Sequence, residues 1–224
     1  LKIESRLSKE EYISTIKKLQ QHIVRGDCYE INFCQEFYAT NAVINPVEVY
    51  LKLSKVSPNP FSALYRMNDQ WLICASPERY IKKTGNNILS QPIKGTSIRI
   101  KNNEIKDGIS RQDLFNSAKD RSENVMVELY GIYSFPQVHQ MISTVSGTLK
   151  NKMSFAEIIR ATFPMGSMTG APKKRVMELI EEYELTKRGI FSGAVGYINP
   201  EGDLPTGQPG FDFNVVIRSI LYNA

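Results

Sequence analysis

The sequence predicts an α+β fold. Two observations carry this reading. Between residues 57 and 91 short apolar runs alternate with hairpin-like turns, and capped amphipathic helices stand before and after that stretch rather than between its strands. Strands and helices segregated in this way point to antiparallel sheets with helices beside them, not to a parallel βαβ array.

Ser8-Lys9-Glu10-Glu11 reads as a capping box, in which serine and glutamate side chains satisfy two orphan N–H groups. Ile13, Ile16, Leu19, Ile23 and Val24 follow at helical spacing, and Gly26 ends the helix. Ile31, Phe33, Phe37 and Ala39 alternate with Glu30, Asn32, Glu36 and Tyr38, which predicts a strand over 31–39. Asn45-Pro46 with Glu48 opens a second helix, with proline at its first position. Ser57-Pro58-Asn59-Pro60 breaks it. Strands are expected at 61–67, 71–75, 79–83 and 88–91, split by the turns Asn68-Asp69 and Gly85-Asn86-Asn87. A polar surface loop is expected over 101–107, a helix over 111–127 and a strand over 139–148. Ser154 and Glu157 form a second capping box, whose helix runs to Thr162 and stops at Pro164. Pro172 opens a helix with Val176, Leu179, Ile180 and Tyr183 on one face, and 193–198 and 213–221 read as strands.

The chain has 224 residues, 42% hydrophobic and 23% charged, a globular composition long enough to bury a core without staples. Lys plus Arg is 28 and Asp plus Glu is 23, a net charge of +5. That is too weak to indicate nucleic-acid binding without a dense basic stripe. The runs Lys82-Lys83 and Lys173-Lys174-Arg175 read as solvated faces. A small acidic ligand is compatible with the charge. No apolar run reaches the length of a membrane span, and the first residues carry no signal-peptide core, so no membrane association is expected. Cys28, Cys34 and Cys74 show no C-x-x-C spacing, which fits a reducing, cytoplasmic setting. With His22 and His139 as the two histidines, a multi-histidine metal site is excluded, and any metal would be a hard ion held by oxygen.

Four segments carry candidate chemistry. In Gln91-Pro92-Ile93-Lys94-Gly95-Thr96 a lysine ends a strand beside a glycine that lets backbone approach a ligand. It is an anion binder, a nucleophile once desolvated, or a surface lysine before a turn. Glu78 in Ala75-Ser76-Pro77-Glu78-Arg79 is a general acid or a turn carboxylate paired with a base. Glu123 is a magnesium ligand or the i+4 partner of Lys119. Gly166-Ser167-Met168-Thr169-Gly170 feeds a helix start and is either an anion site or a plain capped helix. It lacks the spacing and the Gly-Lys-Ser/Thr of a Walker A loop, and suits a carboxylate better than a nucleotide.

Taken in order, Gly26-Asp27-Cys28-Tyr29-Glu30-Ile31-Asn32, Ser76-Pro77-Glu78-Arg79, Pro92-Ile93-Lys94-Gly95-Thr96, Ala118-Lys119-Asp120-Arg121-Ser122-Glu123-Asn124 and Gly166-Ser167-Met168-Thr169-Gly170-Ala171-Pro172-Lys173 resemble the chorismate-utilising enzymes, the family of anthranilate synthase component I. The resemblance implies two large antiparallel sheets flanked by helices, in one chorismate-binding catalytic domain over 1–224. Relative to the family, a segment after Val127 and a C-terminal segment after Ala224 are missing. Family members that add water to chorismate carry a lysine where Glu30 stands, so water addition is not implied. Anthranilate-forming members usually read Pro-Ile-Ala-Gly-Thr where this chain has Lys94, and lysine there resembles the branch that makes 4-amino-4-deoxychorismate.

The resemblance assigns roles residue by residue. Lys94 attacks chorismate in its neutral form, and Glu78 protonates the departing hydroxyl. Gly95, Thr96, His139, Thr169, Gly170, Tyr197 and Arg218 match substrate-pocket positions, with Gly95 and Gly170 presenting backbone N–H groups. Glu123 is a ligand of magnesium, the implied cofactor. Ammonia comes from a glutamine amidotransferase subunit. Anthranilate formation, or a non-catalytic scaffold that keeps the chorismate pocket, are the alternatives. Without the resemblance, His139 reads as a satisfied structural histidine and Tyr197 as a core residue.

Overall fold

A computed structural model describes residues 1–117, 131–150, 153–203 and 208–224. The chain begins with β1 (Glu4–Ser5), α1 (Lys9–Val24), β2 (Glu30–Ile31), β3 (Phe37–Tyr38) and α2 (Pro46–Val56). There follow β4 (Phe61–Met67), β5 (Gln70–Ser76), β6 (Arg79–Thr84), β7 (Asn87–Gln91), β8 (Ile93–Ile98), α3 (Glu104–Asn116), β9 (Gly131–Ser134), β10 (Val138–Ile142) and β11 (Val145–Thr148). The last elements are α4 (Phe155–Thr162), α5 (Gly166–Thr169), β12 (Gly170–Ala171), α6 (Lys173–Tyr183), β13 (Ala194–Asp203), β14 (Gln208–Val215) and β15 (Ser219–Asn223).

Helices start where the caps are written. Ser8 Oγ accepts from the Glu11 N–H at 3.2 Å, and the Glu11 carboxylate accepts from the Ser8 N–H at 2.8 Å. Gly26 leaves α1 at φ +83°, a conformation that glycine adopts without strain. The Asn45 side chain accepts from Val47 and Glu48 at the start of α2. Among the described residues every strand pair is antiparallel. The α+β class is as expected. The strands form one five-stranded sheet (β11-β7-β6-β14-β13), two three-stranded sheets (β8-β10-β9 and β15-β5-β4) and two two-stranded pairs (β1-β3 and β12-β2).

Packing divides the chain into two units, residues 1–44 with 161–192, and 45–160 with 193–224. In the first, Cys28, Val176 and Leu179 form a buried cluster with Ile31, Ile180 and Tyr183 against it. In the second, Leu72, Cys74 and Val216 are buried together, backed by Ala63 and Val195.

The second unit is built from strands that change sheets. The hairpin β4–β5 pairs with β15, whereas β6 and β7 join the five-stranded sheet. The chain crosses between these sheets at Ser76-Pro77-Glu78. A second crossing lies at Pro92, which has no N–H and breaks the ladder between β7 and β8. The partner chain breaks with it. The predicted strand 139–148 is in fact β10 and β11, in different sheets, and the Ser143 N–H between them donates to the Pro92 carbonyl at 3.1 Å. Likewise 213–221 divides: β14 ends at Val215, Arg218 takes φ +50°, and β15 pairs with β5. One apolar run serves two sheets in each case, which alternation alone does not reveal.

Two other expectations change. Over 31–39 only Glu30–Ile31 and Phe37–Tyr38 pair as strands. The Asn32 N–H donates to the Thr169 carbonyl at 2.9 Å, and the Cys34 N–H to the Glu184 carboxylate at 2.9 Å. Loop and side-chain acceptors replace a ladder there. The polar stretch 101–107 is not a loop throughout. Asn103 caps α3 by accepting from the Lys106 N–H at 2.9 Å, and Glu104 and Asp107 sit in its first turn, where the helix dipole favours them. The expected helix 111–127 therefore begins earlier, and its portion past 117 lies outside the described residues.

Candidate active site

Glu78 stands at the crossing between β5 and β6. It is 5% exposed, and its neighbour Ser76 is fully buried. The turn is closed locally: Ser76 Oγ accepts from the Glu78 N–H at 3.2 Å. The Glu78 carbonyl accepts from the Val215 N–H at 3.1 Å, fastening the turn to the end of β14. Arg79 secures the other side. Its guanidinium bonds both Asp212 oxygens, at 3.0 and 3.1 Å, and donates to Gln91 Oε1, while its carbon lies 4.9 Å from the Phe61 ring centroid. This is a two-pronged, charge-assisted pair, the geometry that fixes orientation as well as distance.

Lys94 lies on β8, where the ladder to β10 is irregular. Ile93 pairs with Ile142 and Thr96 with Gln140, so Lys94 and Gly95 together oppose the single residue Met141. This is a β-bulge, a device that re-aims a side chain out of the regular pleat. Gly95 makes it accessible by taking φ +102°. Lys94 is half-buried and Thr96 is exposed. Register connects the lysine to Glu78. Arg79 pairs with Gln91 across β6 and β7, so Glu78 before one and Lys94 after the other leave the same end of that hairpin. Tyr197 on β13 sits opposite Asp212, the carboxylate that holds Arg79. It is 53% exposed and is therefore no core residue. Arg218 is exposed, and its carbonyl accepts from the Ala75 N–H at 3.2 Å.

His139 is 1% exposed, with both ring nitrogens engaged. Nδ1 lies 2.8 Å from Ser134 Oγ and Nε2 lies 3.2 Å from Asp107 Oδ1. Asp107, on α3, also accepts from the Ile100 N–H at 2.6 Å and from Arg99 Nε at 2.9 and 3.0 Å. The Ile100 amide, then Arg99 and His139, hold its carboxyl below the usual carboxylate range. An ionised Asp107 accepts only, so Nε2 carries the proton that it donates to Asp107.

Side chains alternate along a strand, so Gln140 faces away from the α3 side that His139 takes. Gln140 is 1% exposed, and its Oε1 has no hydrogen-bond partner among the described residues. A buried amide oxygen left unpaired beside the Lys94–Gly95 bulge is a feature of the site that sequence reading passed over. Its signal was a polar residue amid apolar neighbours in the strand.

Thr169 and Gly170 lie in the first unit, and the structure gives both local roles. The buried Thr169 hydroxyl donates to the Met165 carbonyl at 3.1 Å. Gly170 donates its N–H to the Gly166 carbonyl, so that amide is already used, and the expectation of a presented N–H does not hold there. Gly170 has φ +124°, and a Cβ on it would lie 2.1 Å from the Glu30 carbonyl oxygen. The glycine segment forms a single four-residue helical turn and a two-residue strand, not a loop opening directly into a long helix.

Glu123 lies outside the described residues. Among the described residues no three His, Cys, Asp or Glu side chains come together as a metal cluster. No described helix is long and apolar enough to cross a membrane. Cys28, Cys34 and Cys74 are thiols, not disulfides, and burial pushes the Cys34 thiol up from its ordinary value.

Comparison with known proteins gives a consistent result. The sequence profile of the family described as chorismate binding enzyme matches residues 1–131 and 127–224. The two matched stretches overlap near the point where the sequence departs from the family pattern. The chain is 34% identical to aminodeoxychorismate synthase component 1 of Klebsiella aerogenes, over 96% of this chain and 50% of that protein. It is 32% identical to the Bacillus subtilis protein of the same name, over 93% of this chain and 47% of that one. The chain thus spans about half the length of these curated relatives. Its fold is that of anthranilate synthase component I from Streptococcus pneumoniae, with a TM-score of 0.84 and 24% identity over 99% of this chain and 51% of that one.

Proposed function

The chain belongs to the chorismate binding enzyme family, and from that membership we propose that it replaces the 4-hydroxyl of chorismate with an amino group, as component 1 of an aminodeoxychorismate synthase. The observation that carries the reading is Lys94, set in the β8 bulge at the hairpin end from which Glu78 also departs.

The chemistry divides one difficult displacement into two steps. The neutral Lys94 amine forms a bond to C2 of chorismate. Both ring double bonds shift by one position, the C4–oxygen bond breaks, and Glu78 supplies the proton that lets the oxygen leave as water. Ammonia then bonds to C4, both double bonds shift back, the C2–nitrogen bond breaks to return Lys94, and the new ammonium gives its extra proton to Glu78. The product is 4-amino-4-deoxychorismate, a precursor for para-aminobenzoate and folate. The enolpyruvyl group is untouched. Glu78 is held in place because its turn is buried and tied at Ser76, Val215 and Arg79. Tyr197 and the exposed Arg218 are the groups proposed to meet the dianionic substrate, with arginine able to take a carboxylate through two N–H donors.

Magnesium enters the proposal through Glu123, a hard oxygen donor that suits it, and would neutralise a substrate carboxylate. No step is assigned to it. The relatives' designation as component 1 supports a second component that delivers ammonia from glutamine. The three thiols fit a cytoplasmic setting.

The test is a mass-spectrometric product assay with chorismate, magnesium and ammonium salt. Hydroxyl replaced by amino with the enolpyruvyl group retained is the expected product. Release of pyruvate with anthranilate would replace the proposal with the other branch. Chorismate binding without product would leave a scaffold.

A further inference from the structure

Asp107, His139 and Ser134 all lie in the second unit, and no step of the amination uses the chain of hydrogen bonds that joins them. Its direction is fixed. Nε2 of His139 donates to the ionised Asp107 at 3.2 Å, so Nδ1 is left without a proton and accepts. The group 2.8 Å from Nδ1 is Ser134 Oγ, which donates its hydroxyl hydrogen to the imidazole. A hydroxyl bonded to a bare imidazole nitrogen, with a carboxylate on the other nitrogen, is a nucleophile, its base and an orienting group in sequence. Burial follows the same division. The His139 ring is 1% exposed and the Asp107 side chain 17%, whereas Ser134 is open to solvent.

Strand register explains the contact. The Arg99 N–H donates to the Gln137 carbonyl across β8 and β10, and the Phe135 N–H donates to the Val138 carbonyl across β9 and β10. Hydrogen-bonded pairs alternate along an antiparallel ladder, so the backbone of His139 turns toward β8. His139 and Ser134 are then a pair of the non-hydrogen-bonded kind, in which side chains stand closer. The Ser134 N–H points away from β10. Among the described residues β9 has no strand on that side. A backbone N–H beside its own Oγ, at such an edge, is a donor for the oxyanion formed when the hydroxyl attacks a carbonyl.

We propose that Ser134 is a base-activated nucleophile, acylated by small, activated carboxylic esters. Ser134 Oγ bonds to the ester carbonyl carbon as its proton passes to His139 Nδ1. The carbon–oxygen bond to the leaving group breaks, and the alcohol or phenol departs with that proton. Water then bonds to the acyl carbon, giving a proton to His139, which returns it to Ser134 Oγ as the acyl–serine bond breaks and a carboxylic acid is released. Asp107 touches no ester and is a positioning residue that holds the tautomer. Ser134 is exposed on an edge strand, which suits an ester that reacts without a deep pocket, such as an aryl acetate. The inference is independent of chorismate amination.

The experiment treats the whole protein with p-nitrophenyl acetate and maps acetylated peptides by mass spectrometry. The exposed Ser146 of β11 is the internal comparison. Ser134 should be acetylated at least about 10²-fold faster than Ser146, and by about that factor more slowly in His139→Gln and in Asp107→Asn. Long-range proton–nitrogen NMR of the histidine rings reads the mechanism separately. His139 should be protonated on Nε2 in the wild type and lose that preference in Asp107→Asn. Acetylation of Ser134 no faster than of Ser146, equal acetylation in a folded Asp107→Asn protein, or a wild-type His139 protonated on Nδ1 overturns the proposal. The wild-type ratio and tautomer give the answer even if neither variant folds.

Discussion

Arg79 and Gln91 are cross-strand partners, and their pairing sets the separation of Glu78 and Lys94 in the fold. Each lies at the end of its strand, one residue after the glutamate and three before the lysine. Arg79 also bonds Asp212 and donates to Gln91, whose amide continues to Thr144 Oγ1 at 3.3 Å. Two sequence motifs 12 residues apart at this pair are thereby one structural object.

Arg79→Lys should separate fold from site. Lysine keeps the charge and loses the two-pronged grip on Asp212, whose side chain is 12% exposed. Stability is expected to fall by about 2 kcal/mol, between the limits for exposed and buried pairs. Urea unfolding would measure it, and a loss within experimental error would show that the pair does not secure the turn.

Lys94→Ala should lower amination by roughly three orders of magnitude or more, as removal of a nucleophile does. Glu78→Gln should cost about 10²–10⁴-fold, the range for a general acid. Turnover with chorismate and ammonium measures both. A Lys94→Ala enzyme with wild-type kcat would exclude the covalent step.

Gly170 and Gly166 predict opposite outcomes four residues apart. Alanine at Gly170 meets the Glu30 carbonyl oxygen at 2.1 Å and a φ of +124°, so Gly170→Ala should destabilise by about 2 kcal/mol or more. Gly166 has no atom within 4 Å of its missing Cβ, so Gly166→Ala should be neutral within about 0.5 kcal/mol or stabilising. Thermal unfolding of the two variants side by side is the check.

Asp107 makes stability depend on acid. Its folded value is held below 3.8 by the Ile100 N–H, Arg99 and His139. Such a group contributes fully above its unfolded value, and the contribution is lost as pH falls through the folded one. The deficit of Asp107→Asn relative to wild type should be constant near neutral pH and shrink below about 3.8. Denaturant unfolding at a series of pH values reads it, and a deficit that stays constant into acid contradicts it.

The helices were legible because their signals are local. Ser8 with Glu11 and Asn45 with Pro46 name their own caps. The cap at Asn103 is hidden in a polar run with few apolar residues, so the helix there begins earlier than the sequence predicts. Most of the longer strands are legible, but not β8 or β9, and not the sheets to which any of them belong. Pro92 with Ser143, and Arg218, are where the chain changes partners, and pairing partners are decided at long range. The same limit applies to the site. Lys94 and Glu78 stood out through their motifs, while their linkage through Gln91 and Asp107's hold on His139 join residues far apart in sequence.

Both packing units are discontinuous in the chain, and this shapes how the protein is made. Residues 1–44 pack with 161–192, and 45–160 with 193–224. On a ribosome the first 44 residues therefore emerge 117 positions ahead of their partners. At about 5–20 residues per second that is a wait of roughly 6–23 s. During it Cys28 and Ile31 have no Val176 or Leu179 to cover them. Neither unit can be completed by the growing chain until the second of its two segments is outside, so residues 1–44 stay without their packing partners throughout that interval.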